Sequence, residues 1–417
     1  MTKFKGYLHS AALILGYLGL TWISPVVAAA VHQPEEGDFF DAFATEQFAS
    51  DDNLFRLPSG SQYLASLVGP GASRSDRINS VMAGLEGQWT FGRQGILFDA
   101  HAGNNSYHDN DRLNNTSGAA DLMWDWRAGR LWTGQVGAVY GRALANFQNT
   151  FVYGRDLVDT IQYYGKAAGQ FGPHWMLFGG AAERRASNSA ETQKANDFRG
   201  NSGNIGVRYV ASSETTLALN YEYATGDYPR ESVVTFQGLP FNRTYRANTA
   251  RFLASIPIGA KSVLEASVGY QKRDYPFSDV GSFKGDVWSA LYTWQPSPKT
   301  RLVFNSSRQI SAYLDAESLY FVSTGFSIAP TWQPTEKLTV SLQASSEKQN
   351  YTGPGAGVAL FLSRRDHLSG EQAGLTYTPR NFLIFKFNYA LQQRTSDIAR
   401  FHYDDKLASA SVTVKFL

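Results

Sequence analysis

The chain has 417 residues, with 38 Lys and Arg against 36 Asp and Glu, and no Cys. The missing thiols exclude a disulfide scaffold, a thiolate metal centre and a cysteine nucleophile; the near balance of charge excludes a strongly basic nucleic-acid binder. A mean hydropathy of −0.29 argues against a helical membrane bundle, which needs several apolar runs of roughly 18 residues or more. With 27 Phe, 22 Tyr, 9 Trp and 38 Gly, the composition is too aromatic and too weakly charged for a disordered chain.

Residues 1–30 read as a cleaved signal peptide. Lys3 and Lys5 give the positive start, Ala11 to Ile23 an apolar stretch of about 13 residues, and Ala28-Ala29-Ala30 a small-residue cleavage site. An N-terminal anchor is the alternative, but the stretch is short and ends at Pro25. No Cys follows, so no lipoprotein is expected. Removing Lys3 and Lys5 leaves equal numbers of basic and acidic side chains. Residues 31–417 contain no further continuous apolar span. A membrane-embedded form must therefore be a β-barrel, in which strand pairing satisfies every backbone group.

Period 2 dominates after Ala30. Leu217, Leu219, Tyr221 and Tyr223 alternate with Ala218, Asn220 and Glu222. Leu264, Ala266, Val268 and Tyr270 alternate with Glu265, Ser267, Gly269 and Gln271. Leu338, Val340 and Leu342 alternate with Thr339, Ser341, Gln343, Ser345 and Glu347. Leu383, Phe385, Phe387, Tyr389 and Leu391 alternate with Lys386, Asn388, Ala390, Gln392 and Arg394. Successive strand side chains point to opposite faces, so each segment is a strand with one apolar and one polar face.

Short turns are expected near Gly92–Gln94, Ala128–Arg130, Gly172–Pro173, Ser212–Glu214, Pro257–Ala260, Pro296–Pro298, Pro334–Glu336 and Pro379–Arg380, where Gly and Pro supply turn geometry. Longer polar loops are expected near Asp52–Arg77, His108–Asn114, Asn146–Arg155, Asn188–Arg199, Asp227–Thr244, Pro276–Ser282, Ser311–Ser318, Thr352–His367 and Ser396–Tyr403. The two kinds alternate, with roughly 40 residues per hairpin repeat. They imply a transmembrane, antiparallel, up-and-down β-barrel of about eighteen strands, with sixteen as the alternative count. Short turns would be periplasmic and long loops extracellular.

Trp89, Trp126, Trp132, Trp175, Trp294 and Trp332 each lie within a few residues of a short turn. Amphipathic rings favour the membrane–water boundary, so these are candidates for a periplasmic aromatic girdle. A soluble β-sandwich would also set aromatics beside turns, but would not keep one kind of turn at one end throughout. At the C-terminus Val412, Val414 and Phe416 alternate with Ser411, Thr413 and Lys415. This resembles the final strand of outer-membrane barrels, which the assembly machinery reads, although Leu417 rather than an aromatic stands last.

A barrel of this size holds an aqueous channel. The pore-lining candidates are Glu222, Glu265, Gln271, Gln343, Glu347, Lys386, Asn388, Gln392 and Arg394. Their mixed signs favour passage of a neutral or weakly charged polar solute. The loop from Thr352 to His367, with Gly353-Pro354-Gly355-Ala356-Gly357 and then apolar Val358 to Leu362, is a candidate inward-folded constriction.

Four segments carry a family resemblance: Asp51-Asp52-Asn53-Leu54-Phe55-Arg56-Leu57-Pro58, Trp124-Asp125-Trp126, Arg130-Leu131-Trp132-Thr133-Gly134 and Ala145-Asn146-Phe147. They resemble the EpsL-type proteins of exopolysaccharide loci, the outer-membrane barrels associated with exosortase gene clusters. The resemblance covers most of the mature chain, and the Asp51–Pro58 string is its most specific part. It implies an export pore for a secreted polysaccharide and carries over no functional residue. A general or sugar-uptake diffusion porin is the alternative, favoured by the plain polar lumen.

Catalysis is not expected. The histidines form no HExxH or close cluster. His101 near Asp99 is the one candidate for nucleophile activation, and an exposed or lumen-wetted His is the expected reading of it. Asp109, Asn110 and Asp111 offer oxygen ligands suited to Ca²⁺ but lack EF-hand spacing. Asp51-Asp52-Asn53 suits a turn at a strand end. No cofactor or metal is expected. The expected location is the bacterial outer membrane. Expected partners are its lipid, the barrel assembly machinery, a secreted polysaccharide and a hypothetical periplasmic export or co-polymerase complex, with no nucleic acid.

Overall fold

The computed structural model describes residues 38–60, 64–149, 153–231, 234–236, 239–241, 243–276, 282–312, 320–352 and 364–416. The expected signal peptide and most of the loop from Thr352 to His367 lie outside the described residues.

Among the described residues the chain forms one closed antiparallel sheet of eighteen strands and one small two-stranded hairpin. The barrel strands are β1 (Phe39–Asp51), β2 (Asp76–Phe91), β3 (Gln94–Tyr107), β4 (Asn115–Ala128), β5 (Trp132–Leu144), β6 (Leu157–Gln170), β7 (Trp175–Asn188), β8 (Phe198–Val210) and β9 (Thr216–Asp227). They continue as β12 (Tyr245–Ile258), β13 (Ser262–Asp274), β14 (Phe283–Ser297), β15 (Thr300–Ala312), β16 (Tyr320–Thr335), β17 (Leu338–Thr352), β18 (Arg365–Arg380), β19 (Leu383–Ser396) and β20 (Tyr403–Phe416). The hairpin of β10 (Val234–Phe236) and β11 (Leu239–Phe241) stands in the connection from β9 to β12; the sequence reading had a plain loop there.

Each strand pairs with its chain neighbours, and β1 closes the cylinder on β20 from Ala42↔Phe416 to Asp51↔Leu407. Closure leaves no unpaired strand edge, the condition for crossing hydrocarbon. Short turns gather at one end and longer connections at the other. Gly92 and Gly259 take positive φ of 64° and 62° at two of the short turns, where a side chain would be strained. The expected turns at Pro296, Pro334 and Pro379 shift by about two residues toward the C-terminus. Those prolines stand inside β14, β16 and β18, where the register slips between Trp294 and Ser297, Trp332 and Thr335, and Tyr377 and Arg380. Proline has no N–H to give the ladder, so it fits a bulge beside a turn.

The outer face is apolar and open. Phe48, Leu85, Leu122, Leu219, Val268, Phe326, Leu342 and Phe387 all lie exposed on it. Trp89, Trp132, Trp175, Trp294 and Trp332 are exposed beside the short turns, and Trp126, half-buried, shares their face. Val412, Val414 and Phe416 stand on this same face of β20. Such a continuous apolar wall on a closed cylinder is met by lipid, and one substitution tests that. Leu219 is 66% exposed. In water Leu219→Arg would cost almost nothing, whereas on the lipid face of a barrel Arg costs about 2–4 kcal/mol at the midplane and less toward the boundary, where Leu219 stands one outward position beyond the level of Trp175. The expected result is a lowered unfolding midpoint in lipid bilayers.

The candidate channel and its loop-filled mouth

Strand parity assigns every inner side chain, because paired residues share a face. Glu222, Glu265, Gln271, Gln343, Glu347, Lys386, Asn388, Gln392 and Arg394 all stand on the face opposite the exposed apolar residues. Their surroundings differ. Glu222 is ion-paired with Arg251 at 3.2 Å. Glu347 accepts from the Ser323 hydroxyl at 2.5 Å and from Gln349 Nε2 at 2.8 Å. Gln271 is buried, and Arg394 has no exposed surface at all. Arg394 is therefore an internal anchor rather than a water-washed wall residue: Asp366 and a loop carbonyl take up its guanidinium.

Inner-facing charges on β4 to β8 escaped the sequence reading. Asp121 and Asp125 stand on β4; Lys166, Arg184 and Arg208 stand on β6, β7 and β8. Arg184 and Arg208 have no acidic partner among the described residues, and the Arg208 guanidinium lies 5.1 Å from the Phe178 ring centroid. The same alternation would have found them, but Gly and Ala interrupt the apolar stripe on these strands. Acidic and basic groups thus occupy neighbouring sectors of one wall.

The mouth at the long-loop end is packed with protein. The first loop, residues 52–75, carries the Asp51–Pro58 string inward. Asn53 Nδ2 donates to the carbonyls of Leu57 at 2.9 Å and Asp404 at 2.7 Å, and its Oδ1 accepts from Leu57 N–H. Arg56 adopts a positive φ of 55°, a conformation that needs outside support in a non-glycine residue. That support is Asp51 at 3.0 Å and Asp405 at 2.8 Å. Burial opposes the Arg56 charge, yet the two carboxylates outweigh it and hold the guanidinium above its ordinary pKa. Phe55 and Leu57 are fully buried with Leu113 and Phe147 from the next two loops. The rings of Phe55 and Phe147 lie 5.0 Å apart, with Tyr153 at 6.1 Å from Phe55.

The third loop, between β5 and β6, reaches across the barrel. The carbonyl of Gln148 accepts from Arg394 Nη1 on β19 at 2.6 Å. Arg394 and Arg364 both flank Asp366, at 3.3 and 3.2 Å, and all three side chains are almost wholly buried. Farther round, Arg243 pairs with Glu231 at 2.6 Å and lies 4.1 Å above the Tyr228 ring. Burial pushes the Tyr228 phenol well up, and that of Tyr275 to about 12, so both rings stay neutral in this cluster.

Residues 72–416 match the model of the family described as "Putative beta-barrel porin 2". The chain belongs to this family. It is an integral outer-membrane protein with a porin-like channel. Among curated proteins none matches it. Its fold is similar to OpdK of Pseudomonas aeruginosa, at 12% identity and a TM-score of 0.47 over 91% of this chain and 99% of that one. It is similar also to P. aeruginosa OccK2, solved in complex with glucuronate (12% identity, TM-score 0.48, 91% and 98% covered). A BenF-like porin of Pseudomonas fluorescens Pf-5 gives 12% identity and a TM-score of 0.47 over 90% and 99%.

For a porin-family barrel, the other candidate sites fall into structural places. His101 Nδ1 lies 3.3 Å from Asp99, and its cross-strand neighbours are Gly84 and Ala119, so no hydroxyl nucleophile pairs with it there. Asn110 spends its amide on Ser73 and Asp76, closing a loop. Asp51, Asp52 and Asp405 converge closely enough to suggest a cation site, but Arg56 already supplies the positive charge between Asp51 and Asp405.

Proposed function

We propose that this chain is a diffusion channel that admits small polar solutes, sugars among them, through the outer membrane. One observation carries the reading: the inner face bears accessible polar groups of both signs beside a long uncharged stretch, and no single charge dominates it. The nine inner-face residues from Glu222 to Arg394 line the passage, except that Arg394 holds the third loop that narrows it. The leader is removed after Ala30, the barrel assembly machinery reads Val412, Val414 and Phe416, and the tryptophan girdle sits at the periplasmic boundary.

Reconstituted protein tests the reading. Liposomes containing it should swell in an isotonic solution of a small neutral sugar. Swelling no faster than in protein-free liposomes removes the diffusion reading.

A second reading is export of an exopolysaccharide, with a periplasmic co-polymerase complex beneath the barrel. The Asp51–Pro58 string supports it, since the most specific part of the EpsL-type resemblance is built into the mouth. Under that reading deletion of the gene abolishes surface polymer while lipid-linked sugar synthesis continues; under the diffusion reading surface polymer is unchanged.

A further inference from the structure

The inner wall is uneven in charge. On β16 to β19, three adjacent rows of paired inner positions carry no ionisable side chain. One row runs Ser327, Ser345, Gly370, Gln392. The next contains Gln343, Gln372 and Ala390. The third runs Thr331, Ser341, Gly374, Asn388. Glu347 and Arg394 bound this patch toward the mouth, and Lys386 bounds it toward the short turns. At the usual strand spacing the patch is roughly 15 Å wide.

Its polar groups are largely unspent. Gln343, Gln372 and Asn388 are half-buried and make no side-chain hydrogen bond among the described residues, and Gln392 Nε2 is buried without a partner. The floor is hollowed at Gly370 and Gly374. A Cβ at Gly374 would fall 2.5 Å from Ser341 Oγ and 2.9 Å from Asn388 Oδ1, so the two polar side chains converge over the glycine and a larger residue there would push them aside. Each amide offers donors and acceptors together. A charged solute gains no counter-charge here, and an apolar one leaves these amides unpaired, which is costly in a partly dehydrated wall. A chain of hydroxyls, each both donor and acceptor, matches the patch. No aromatic side chain stands in its three rows, so it grips weakly and releases readily, as transit requires.

We infer that the amide-and-hydroxyl patch on β16 to β19 is a binding track for an uncharged polyhydroxylated solute, a neutral saccharide. The inference rests on the channel reading above and names the solute class for it.

The test uses detergent-solubilised full-length protein and maltotriose, read by saturation-transfer NMR. The wild type should transfer saturation to the sugar protons. Gln343→Ala/Gln372→Ala should cut transfer about threefold or more, as expected for lost hydrogen bonds; Asn388→Ala is the second variant, expected to act in the same direction. Gln393→Ala, which removes an amide from the outer face of the same strand, should leave transfer unchanged. Absent transfer in the wild type, equal transfer in both inner-face variants, or equal transfer to a polyethylene glycol of the same length overturns the track. Transfer without liposome swelling overturns the channel reading alone, and swelling without transfer overturns the track alone.

Discussion

Asp366→Asn destabilises the barrel by about 3–5 kcal/mol, the expected loss when one member of a buried ionic group is removed. Asp366 has no exposed side-chain surface, and Arg364 and Arg394 flank it at 3.2 and 3.3 Å. The substitution keeps the shape and deletes the negative charge, leaving two guanidinium groups sequestered without it. Arg394 also holds Gln148 of the third loop, so relaxation of this centre loosens the loop across the lumen. The check is the midpoint of denaturant unfolding in lipid bilayers, with single-channel conductance as a second readout that should rise. Asp366→Leu combined with Arg394→Leu should cost less than the sum of the two single changes, because each partner's removal relieves the other. Additive losses would show that the ionic contact contributes nothing.

Phe55→Ala has a comparable local cost, about 3–5 kcal/mol for a fully enclosed ring, and a different consequence. Phe55 sits in a cluster with side chains of the second and third loops, which rests on Ile78, Tyr107 and Leu144 at the strand ends. The loss therefore falls on the mouth cluster, which opens as its own unit while the strands stay paired. The expected observations are rapid protease cleavage within the first loop, larger conductance, and an unfolded fraction of the barrel close to that of the wild type. Undiminished protease resistance with unchanged conductance would mean that the ring does not hold the loop.

The cylinder was legible because alternation and turn residues repeat through the whole chain. The prolines at 296, 334 and 379 misplace three turns slightly, since a residue without an N–H marks a bulge as readily as a turn tip. The inner face was legible where Leu, Phe and Tyr mark the outer one, as on β19, and not on β6 to β8, where Gly and Ala weaken the contrast. The mouth was beyond reach of pattern. That Phe55 meets Phe147, or that Arg394 meets Asp366 and Gln148, depends on which loops fold inward, and periodicity says nothing of contacts between distant loops.

The seam between the first and last strands has a consequence for biogenesis. At its outer rim Asn53 donates to the carbonyl of Asp404, and Arg56 grips Asp405, residues separated by 351 and 349 positions. Joining such remote points carries the largest loop-closure entropy. The clasp is therefore fastened last, when the terminal hairpin arrives, and a nascent chain stalled before that hairpin holds one edge of its first strand unpaired.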